Sequence, residues 1–145
     1  MGKLKLLVVN GPNLNMLGKR NPEHYGTLTL SDIEKMIADY CSDKNIEPEF
    51  FQSACEGEIV KKLNDAYGNI DALIINAGAY THYSYAIRDA LEILEIPKME
   101  VHLSDIHSRE SFRAVSVIEE VCTKQISGFG AKSYIMAVDE ILKVL

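Results

Sequence analysis

The sequence of 145 residues contains no long apolar run and no cluster of basic residues. A membrane-spanning helix needs roughly 18 apolar residues, and the N-terminus shows no signal-peptide pattern. The missing basic cluster, together with a net charge of -6, argues against nucleic acid and anionic membranes as partners. We therefore expect a cytoplasmic protein in which a few local cations bind any anionic ligand.

Cysteine is also scarce, since Cys41, Cys55 and Cys122 are odd in number and scattered along the chain. This usage favours free thiols over a disulfide framework or a metal site. No internal repeat, linker or low-complexity segment divides the sequence. A chain of this length can bury most of its surface without disulfides, and we expect residues 1–145 to form one domain.

Apolar runs and amphipathic segments alternate along the chain. The predicted strands cover about residues 4–9, 49–52, 72–76, 98–103 and 123–129, and the predicted helices cover about 31–45, 56–67, 85–94 and 131–145, with a short helix around Phe112 and Arg113. This alternation indicates an α/β fold with a parallel sheet and helices on both faces. With five strands we expect a flavodoxin-like three-layer sandwich of strand order 2-1-3-4-5, which binds ligands at the carboxyl ends of its strands.

Local signals predict where two of the helices begin, end and face. Ser31 and Glu34 fit a capping box at the start of the first helix, and Asn45 fits its C-cap. The last helix is expected to turn one apolar face inward, formed by Ile135, Val138, Ile141 and Leu142. The glycine-rich segment 128–132 lacks the spacing of a phosphate-binding loop, so we interpret it as a turn.

Polar side chains collect where the predicted strands end. They are Asn13, Arg20, Tyr25, Asn76, His82, Glu100, His102, Ser104 and Arg113. The set contains no serine or cysteine nucleophile paired with a base in a known motif, and it lacks metal-ligand spacing. This composition favours acid–base chemistry on a polar, anionic substrate over covalent or metal catalysis.

Two pairs within this set have complementary chemistry. Tyrosine has a pKa of about 10 and acts as a base only if a neighbouring group lowers this value. Arg20 in the same loop is the candidate for lowering the pKa of Tyr25. Glu100 and His102 share one face of a strand, so the carboxylate can orient the imidazole and keep it protonated as a general acid. Simpler interpretations stay open: the Tyr–Arg pair as a surface contact, and the histidine as a structural residue.

Two functions of another class are also compatible with such a fold. A non-catalytic module that binds a nucleotide or another small ligand would need a phosphate loop, and none with the proper spacing is present. A phosphoacceptor receiver domain would need an acidic pair after strand one and an aspartate after strand three. Strand three ends in Asn76 instead, so both alternatives have less support than an enzyme.

Taken together, these motifs resemble the signature of type II 3-dehydroquinate dehydratases over nearly the whole chain. The matching segments are residues 10–18 (NGPNLNMLG), Arg20, Pro22, 25–26 (YG), 56–58 (EGE), 76–82 (NAGAYTH), 86–91 (AIRDAL), 100–104 (EVHLS), 106–110 (IHSRE) and 112–113 (FR). The resemblance implies a flavodoxin-like subunit that reversibly dehydrates 3-dehydroquinate to 3-dehydroshikimate without a cofactor. It further implies an anti elimination through an enolate.

The resemblance also implies roles for individual residues. Tyr25 would be the base, activated by Arg20, while Asn13 would place a water near the enolate oxygen and His102, oriented by Glu100, would protonate the leaving hydroxyl. Substrate binding would fall to Asn76, His82, Asp89, Leu103, Ser104 and Arg113, with Asp89 coming from a neighbouring subunit of a dodecamer built as a tetramer of trimers. The loop of about residues 19–25 would act as a lid.

The sequence departs from the family pattern at three places. Ala77 replaces the usual proline, which suggests a less rigid loop. Ala54 and Cys55 replace a common Asn-His pair. Asp105 replaces the usual asparagine after Ser104, and we expect weaker substrate binding if its added negative charge faces the pocket. All of the catalytic positions are retained.

Overall fold

The computed structural model describes residues 2–19, 23 and 27–145. The five strands are β1 (Leu4–Asn10), β2 (Ile46–Gln52), β3 (Ala72–Asn76), β4 (Lys98–His102) and β5 (Lys124–Ser127). Helices α1 (Leu30–Cys41), α2 (Glu56–Ala66), α3 (Tyr85–Ile93) and α4 (Lys132–Val144) lie between and after them. The strands form one parallel sheet of order β2-β1-β3-β4-β5, which confirms the predicted topology.

The sheet is covered on both faces, which makes the fold a three-layer sandwich. One apolar cluster joins the sheet to α1 and α4, and a second joins the opposite face to α2 and α3. Strands β3 and β4 are buried along their whole length. This explains the apolar run of residues 72–75 in β3, whereas β4 (KMEVH) alternates and buries the polar side chains of Lys98, Glu100 and His102.

The edge strand β2 is longer than predicted, since it begins at Ile46 and not near Glu49. It includes Pro48, which lies opposite Leu6 of β1. Proline removes a backbone donor, but an edge strand has one side on which that donor is not needed. At the other edge, β5 is shorter than predicted because residues 128–130 turn, with positive φ at Gly128 and Gly130.

The first helix begins and ends earlier than predicted. Its N-cap is Thr29, whose hydroxyl accepts from the Asp32 N–H at 3.1 Å while the Asp32 carboxylate accepts from the Thr29 N–H at 3.0 Å. The Ser31–Glu34 capping box was therefore wrong by two positions, because this start brings Leu30 into the helix, where it packs against the core. The C-cap is Ser42, and Asn45 instead takes a left-handed φ of 58° in the turn before β2.

The inward face of α4 agrees with the prediction at Val138 and Ile141 but differs from it at Ile135 and Leu142. Its buried residues are Ser133, Tyr134, Ala137, Val138 and Ile141. Leu142 is exposed and Ile135 is only partly buried. In this rotation Tyr134 is buried, and its hydroxyl forms hydrogen bonds with the side chains of Asn10 and Asn76.

Candidate active site

The carboxyl ends of β1 and β3 come together more closely than most backbones can. Asn10 and Asn76 are register partners, and the Gly11 N–H donates to the Asn76 carbonyl at 2.8 Å. A Cβ on Gly11 would lie 2.4 Å from the Ala77 carbonyl oxygen, and Gly78 has a φ of +62°. Both positions therefore need glycine, and their approach forms the floor of a cleft.

The cleft has a volume of about 120 Å³ and lies at the carboxyl end of the sheet. It is lined by Pro12, Asn13, Leu14, Asn76, Gly78, Ala79, His82, His102, Leu103, Ser104, Ile106, Arg109 and Arg113. Seven of the residues predicted from the sequence are among them: Asn13, Asn76, His82, His102, Leu103, Ser104 and Arg113. The structure brings these seven residues together at one edge of the sheet.

Of the four other predicted residues, two do not line the cleft and two lie outside the described residues. Glu100 is fully buried behind His102 and does not line the cleft. Asp89 is exposed on α3, outside this cleft. Arg20 and Tyr25 lie outside the described residues, as does most of the loop 19–25, so their predicted pairing stays a prediction.

Glu100 and His102 form the contact that strand alternation predicted. Nε2 of His102 lies 2.5 Å from Oε2 of Glu100, and both side chains are almost entirely buried. An ionised carboxylate can only accept, so this nitrogen carries a proton when Glu100 is ionised. The other ring nitrogen, Nδ1, is then the atom through which His102 can exchange a proton with a bound molecule.

A second imidazole, His82, has a fixed orientation. Its Nδ1 lies 2.7 Å from the Val115 carbonyl oxygen and therefore donates to it. Burial lowers the pKa of His82, and the bond to Val115 only partly opposes this. The ring is consequently neutral near pH 7, and Nε2 can accept a hydrogen bond from a hydroxyl group.

Amide and hydroxyl groups complete the polar lining. Asn13 has a left-handed φ of 70°, which asparagine tolerates better than most residues. The Asn76 side chain donates to Tyr134 Oη at 3.1 Å and accepts from the Gly78 N–H at 3.1 Å. Burial raises the pKa of Tyr134, so its hydroxyl stays protonated and donates to Asn10. Tyr134 therefore holds the side-chain amide of Asn76 in place from outside the cleft.

The charged side chains that line the cleft are arginines, although the chain is acidic. Arg113 pairs with Glu110 through its Nε at 2.8 Å and lies over the Phe112 ring at 4.8 Å. Arg109 donates from Nη1 to the Ser104 hydroxyl at 3.2 Å. No carboxylate belongs to the lining as far as the structure describes the chain. Two guanidinium groups at one side of the cleft suit a carboxylate ligand.

Sequence reasoning missed Arg109 and Tyr134 as functional residues. Arg109 stood within a recognised motif but follows the strand by several residues, and the turn at Ile106–Ser108 is what folds it back. That turn begins at Asp105, whose carboxylate accepts from the His107 N–H at 3.0 Å. Asp105 is exposed and does not line the cleft. Its charge therefore does not face the pocket.

The other departures also have structural consequences. Ala77 is buried with a φ of -76°, a conformation that proline shares, so the alanine does not reshape the loop. Cys55 is exposed at the N-cap of α2 and makes no side-chain cap bond there. No cluster that could hold a metal ion occurs within residues 2–19, 23 and 27–145. Within the same ranges, no helix is long and apolar enough to cross a membrane.

Comparisons with known proteins agree with this geometry. The model of the family described as "Dehydroquinase class II" matches residues 4–142. A 3-dehydroquinate dehydratase of Thermotoga neapolitana is 57% identical over 97% of this chain and 96% of its own length. One of Caldicellulosiruptor bescii is 54% identical over 97% of this chain and 98% of its own length. The crystal structure of a type II dehydroquinase from Butyrivibrio crossotus superposes with a TM-score of 0.94 at 52% identity, covering 97% of this chain and 98% of that one. Sequence, fold and cleft agree, and the chain belongs to the class II dehydroquinase family.

Proposed function

We propose that this chain removes water from 3-dehydroquinate to give 3-dehydroshikimate, a reaction of the shikimate pathway. The observation that carries the proposal is the cleft, in which an imidazole held by a buried carboxylate faces two guanidinium groups. The product differs from the substrate by one water, so the site needs one base, one acid and a hold on the carboxylate. Family membership supports the same reaction.

The base in our proposal is Tyr25, which removes the proton next to the ketone. Arg20 keeps the tyrosine ionised, because a cation within about 4–6 Å favours the phenolate. Removal of this proton builds negative charge on the ketone oxygen, so the reaction passes through an enolate. Asn13 at the cleft would place a water against that oxygen, and charge stabilisation of this kind is often the largest catalytic contribution.

The acid in our proposal is His102, which protonates the leaving hydroxyl from the face opposite the base. Its Nε2 is bound to Glu100, so the proton is delivered from Nδ1. The carboxylate favours the charged imidazole and fixes its ring plane. A positioned acid of this kind contributes on the order of 10²–10⁴-fold in rate.

Substrate binding is assigned to the polar lining. Arg113 would bind the carboxylate, aided by Arg109 beside Ser104. The N–H groups of Leu103 and Ser104 make no hydrogen bond within the described part of the chain, so they can also donate to an anion. Hydroxyl groups of the substrate would contact the Asn76 amide and the acceptor nitrogen of His82.

We extend the proposal to the assembly. Asp89 would reach the site of a neighbouring subunit in a dodecamer arranged as a tetramer of trimers, and its exposure on α3 allows this. The segment of about residues 19–25 would close over bound substrate as a lid. The chain would work as one domain in the cytoplasm without a cofactor.

The direct test is the absorbance of the conjugated enone product after 3-dehydroquinate is added to the purified protein. We expect the absorbance to increase, and the rate of this increase to have a bell-shaped pH dependence between about pH 6 and 9, where one acid and one base are both in their working forms. If absorbance does not grow at any pH in this range, the enzyme proposal is wrong. A non-catalytic binding module would then be the better interpretation.

A matched pair of substitutions tests the assignment of the base. Tyr25→Phe should nearly abolish turnover while a substrate-like inhibitor still binds, because only the ionisable oxygen is lost. Tyr67→Phe is the control, since Tyr67 is exposed at the end of α2 and does not line the cleft. An equal loss of turnover and inhibitor binding in Tyr25→Phe would make Tyr25 structural.

Two further measurements test the acid and the assembly. His102→Ala should lower kcat, and a change in KM alone would contradict its role as the acid. Sedimentation should give a mass near twelve subunits if the proposed dodecamer forms. A mass near one subunit would contradict both the dodecamer and the role of Asp89.

A further inference from the structure

The buried carboxylate of Glu100 receives hydrogen bonds from four parts of the chain. Its Oε2 accepts from His102 Nε2 at 2.5 Å, from Ser116 Oγ at 2.8 Å and from Gln125 Nε2 at 3.1 Å. Thr81 Oγ1 lies further away, at 3.4 Å. The other oxygen, Oε1, has no hydrogen-bond partner within the described residues. All of the donors therefore act on the oxygen that binds the imidazole.

A buried carboxylate and an imidazole that share a proton have two competing arrangements. The proton can lie on the imidazole, which leaves an ion pair, or on the carboxylate, which leaves two neutral groups. Burial favours the neutral arrangement, because it penalises both charges. Hydrogen bonds donated to the carboxylate favour its ionised form and so favour the ion pair.

We propose that Ser116 and Gln125 are positioning residues that keep Glu100 ionised and thereby keep the shared proton on His102. This inference rests on the proposed function, in which His102 supplies that proton to the leaving hydroxyl. Neither residue lines the cleft, so both act through Glu100. Both donors are neutral, so they stabilise the Glu100 anion. A second cation, in contrast, would compete with His102 for the carboxylate.

The Ser116 hydroxyl donates its hydrogen to one acceptor, the Glu100 carboxylate. Its oxygen accepts from the N–H groups of Ile118 at 3.3 Å and Glu119 at 3.2 Å. These two bonds occupy the lone pairs of the oxygen. The hydroxyl hydrogen is thus directed to Glu100, and the start of the turn at Glu119–Val121 holds it there.

Gln125 is oriented from its far end. The carboxylate of Glu100 can only accept, so the amide nitrogen of Gln125 faces it and the amide oxygen faces away. That oxygen lies 3.0 Å from Nε2 of His107, which therefore donates to it. His107 is exposed, and this hydrogen bond aligns the amide of Gln125.

The titratable groups around the pair do not take over this task. On the cleft side they are His82, Arg109 and Arg113, and on the sheet side Cys122 faces Glu100. Burial, and then the charge of Glu100, raise the pKa of Cys122 to about 12, so its thiol stays neutral. Within the described part of the chain, His102 is the only basic side chain in an ion-pair contact with Glu100. The ionised state of Glu100 thus depends on neutral donors.

The experiment compares Ser116→Ala and Gln125→Leu with the unaltered protein by two readouts. The first is the pH dependence of kcat. Loss of a donor makes Glu100 more basic and its charge less compensated, so the pair holds its proton more tightly. We expect the alkaline limb to move up by about one pH unit and kcat at its optimum to fall about tenfold or more, because the proton lies more on Glu100.

The second readout is 15N solid-state NMR of histidine-labelled protein, which observes the imidazole directly whatever the assembly size. The His102 resonances are assigned by their loss in His102→Ala. At neutral pH we expect two protonated ring nitrogens in the unaltered protein and one unprotonated nitrogen in both variants. Ser116→Thr keeps the hydroxyl and should restore the original signals and pH profile.

Ser42→Ala is the matched control, because it removes a hydroxyl that donates only to the Asp39 carbonyl at the end of α1. It should leave both readouts unchanged. If Ser116→Ala and Gln125→Leu lower kcat but leave the alkaline limb and the His102 signals in place, the two residues are merely structural and the inference is wrong. The NMR result decides the inference even if no dehydratase activity is found, since it requires no turnover.

Discussion

The hydroxyl of Tyr134 offers a sharp test of how the last helix supports the site. It donates to Asn10 Oδ1 and accepts from Asn76 Nδ2, and Tyr134 and Asn10 are fully buried. Tyr134→Phe keeps the ring and removes only this oxygen. Two amide groups then lose their partner at the junction of β1, β3 and α4.

The expected cost follows from the exposure of each amide. Asn10 cannot reach water, so its unpaired oxygen should cost about 1–3 kcal/mol. Asn76 borders the cleft and can regain a water molecule, which limits its share to about 1 kcal/mol. The total of about 2–4 kcal/mol corresponds to a fall in Tm of roughly 4–16 °C for a chain of this size.

The assay is denaturant unfolding followed by circular dichroism, with Tm measured beside it at one fixed subunit concentration because assembly shifts apparent stability. Tyr40→Phe is the matched control. Its hydroxyl also donates to a single partner, Asp139 at 2.6 Å, but that pair is only partly buried. Water can replace the lost bond there, so the loss should be smaller.

The comparison also has an outcome that would refute the reasoning. If Tyr134→Phe costs no more than Tyr40→Phe, the buried hydroxyl does not anchor the sheet edge. We also expect KM for 3-dehydroquinate to rise in Tyr134→Phe, because Asn76 loses one of the two bonds that fix its amide. An unchanged KM would show that the Gly78 N–H alone is sufficient to orient it.

Three other substitutions or treatments follow from the loops and the thiols. Ala77→Pro should raise the free energy of unfolding by about 0.4–1 kcal/mol. The φ of Ala77 is already -76°, and its N–H makes no backbone hydrogen bond within the described chain. A lower denaturation midpoint would contradict this prediction. Asp105→Asn should change KM by no more than about twofold, since an exposed charge outside the cleft is screened. The asparagine oxygen can still accept from the His107 N–H. A large fall in KM would show that the charge of Asp105 does reach the substrate. Iodoacetamide at pH 8 should label the exposed Cys55 and spare Cys41 and Cys122. Burial raises the pKa of both spared thiols, that of Cys122 to about 12. Peptide mass spectrometry measures the order of labelling, and labelling of Cys41 or Cys122 before Cys55 would contradict this prediction.

Much of the fold was predictable because each layer has a periodicity that local sequence records. Strand β3 reads as an apolar run, and α2 and α3 have one apolar stripe each. The alternation of strands and helices then leaves few topologies. Most errors fell at the ends of elements. At the first helix, Thr29 and Ser31 offer the same capping chemistry, and packing of Leu30 against the core distinguishes them.

The candidate site was predictable to the extent that it depends on strand ends. Asn76 and His102 are the last residues of β3 and β4, and Ser104 lies two residues beyond β4, so topology alone brings them together. Arg109 was missed because a turn of irregular backbone, without a periodic signal, returns it to the cleft. The departure at Asp105 was a question the sequence could raise but not answer, since a residue after a strand can point into the cleft or away from it.

The sequence by itself determined the layer order, the sheet edge at which polar groups collect, and the shared face of Glu100 and His102, because these depend on periodicity and spacing within one element. Only the tertiary structure decided which groups hold those residues in place. Tyr134 meets Asn10 across 124 positions, and Gln125 meets Glu100 across 25. Such contacts arise where helices and strands from distant parts of the chain pack against one sheet, and local spacing carries no record of which side chains will meet there.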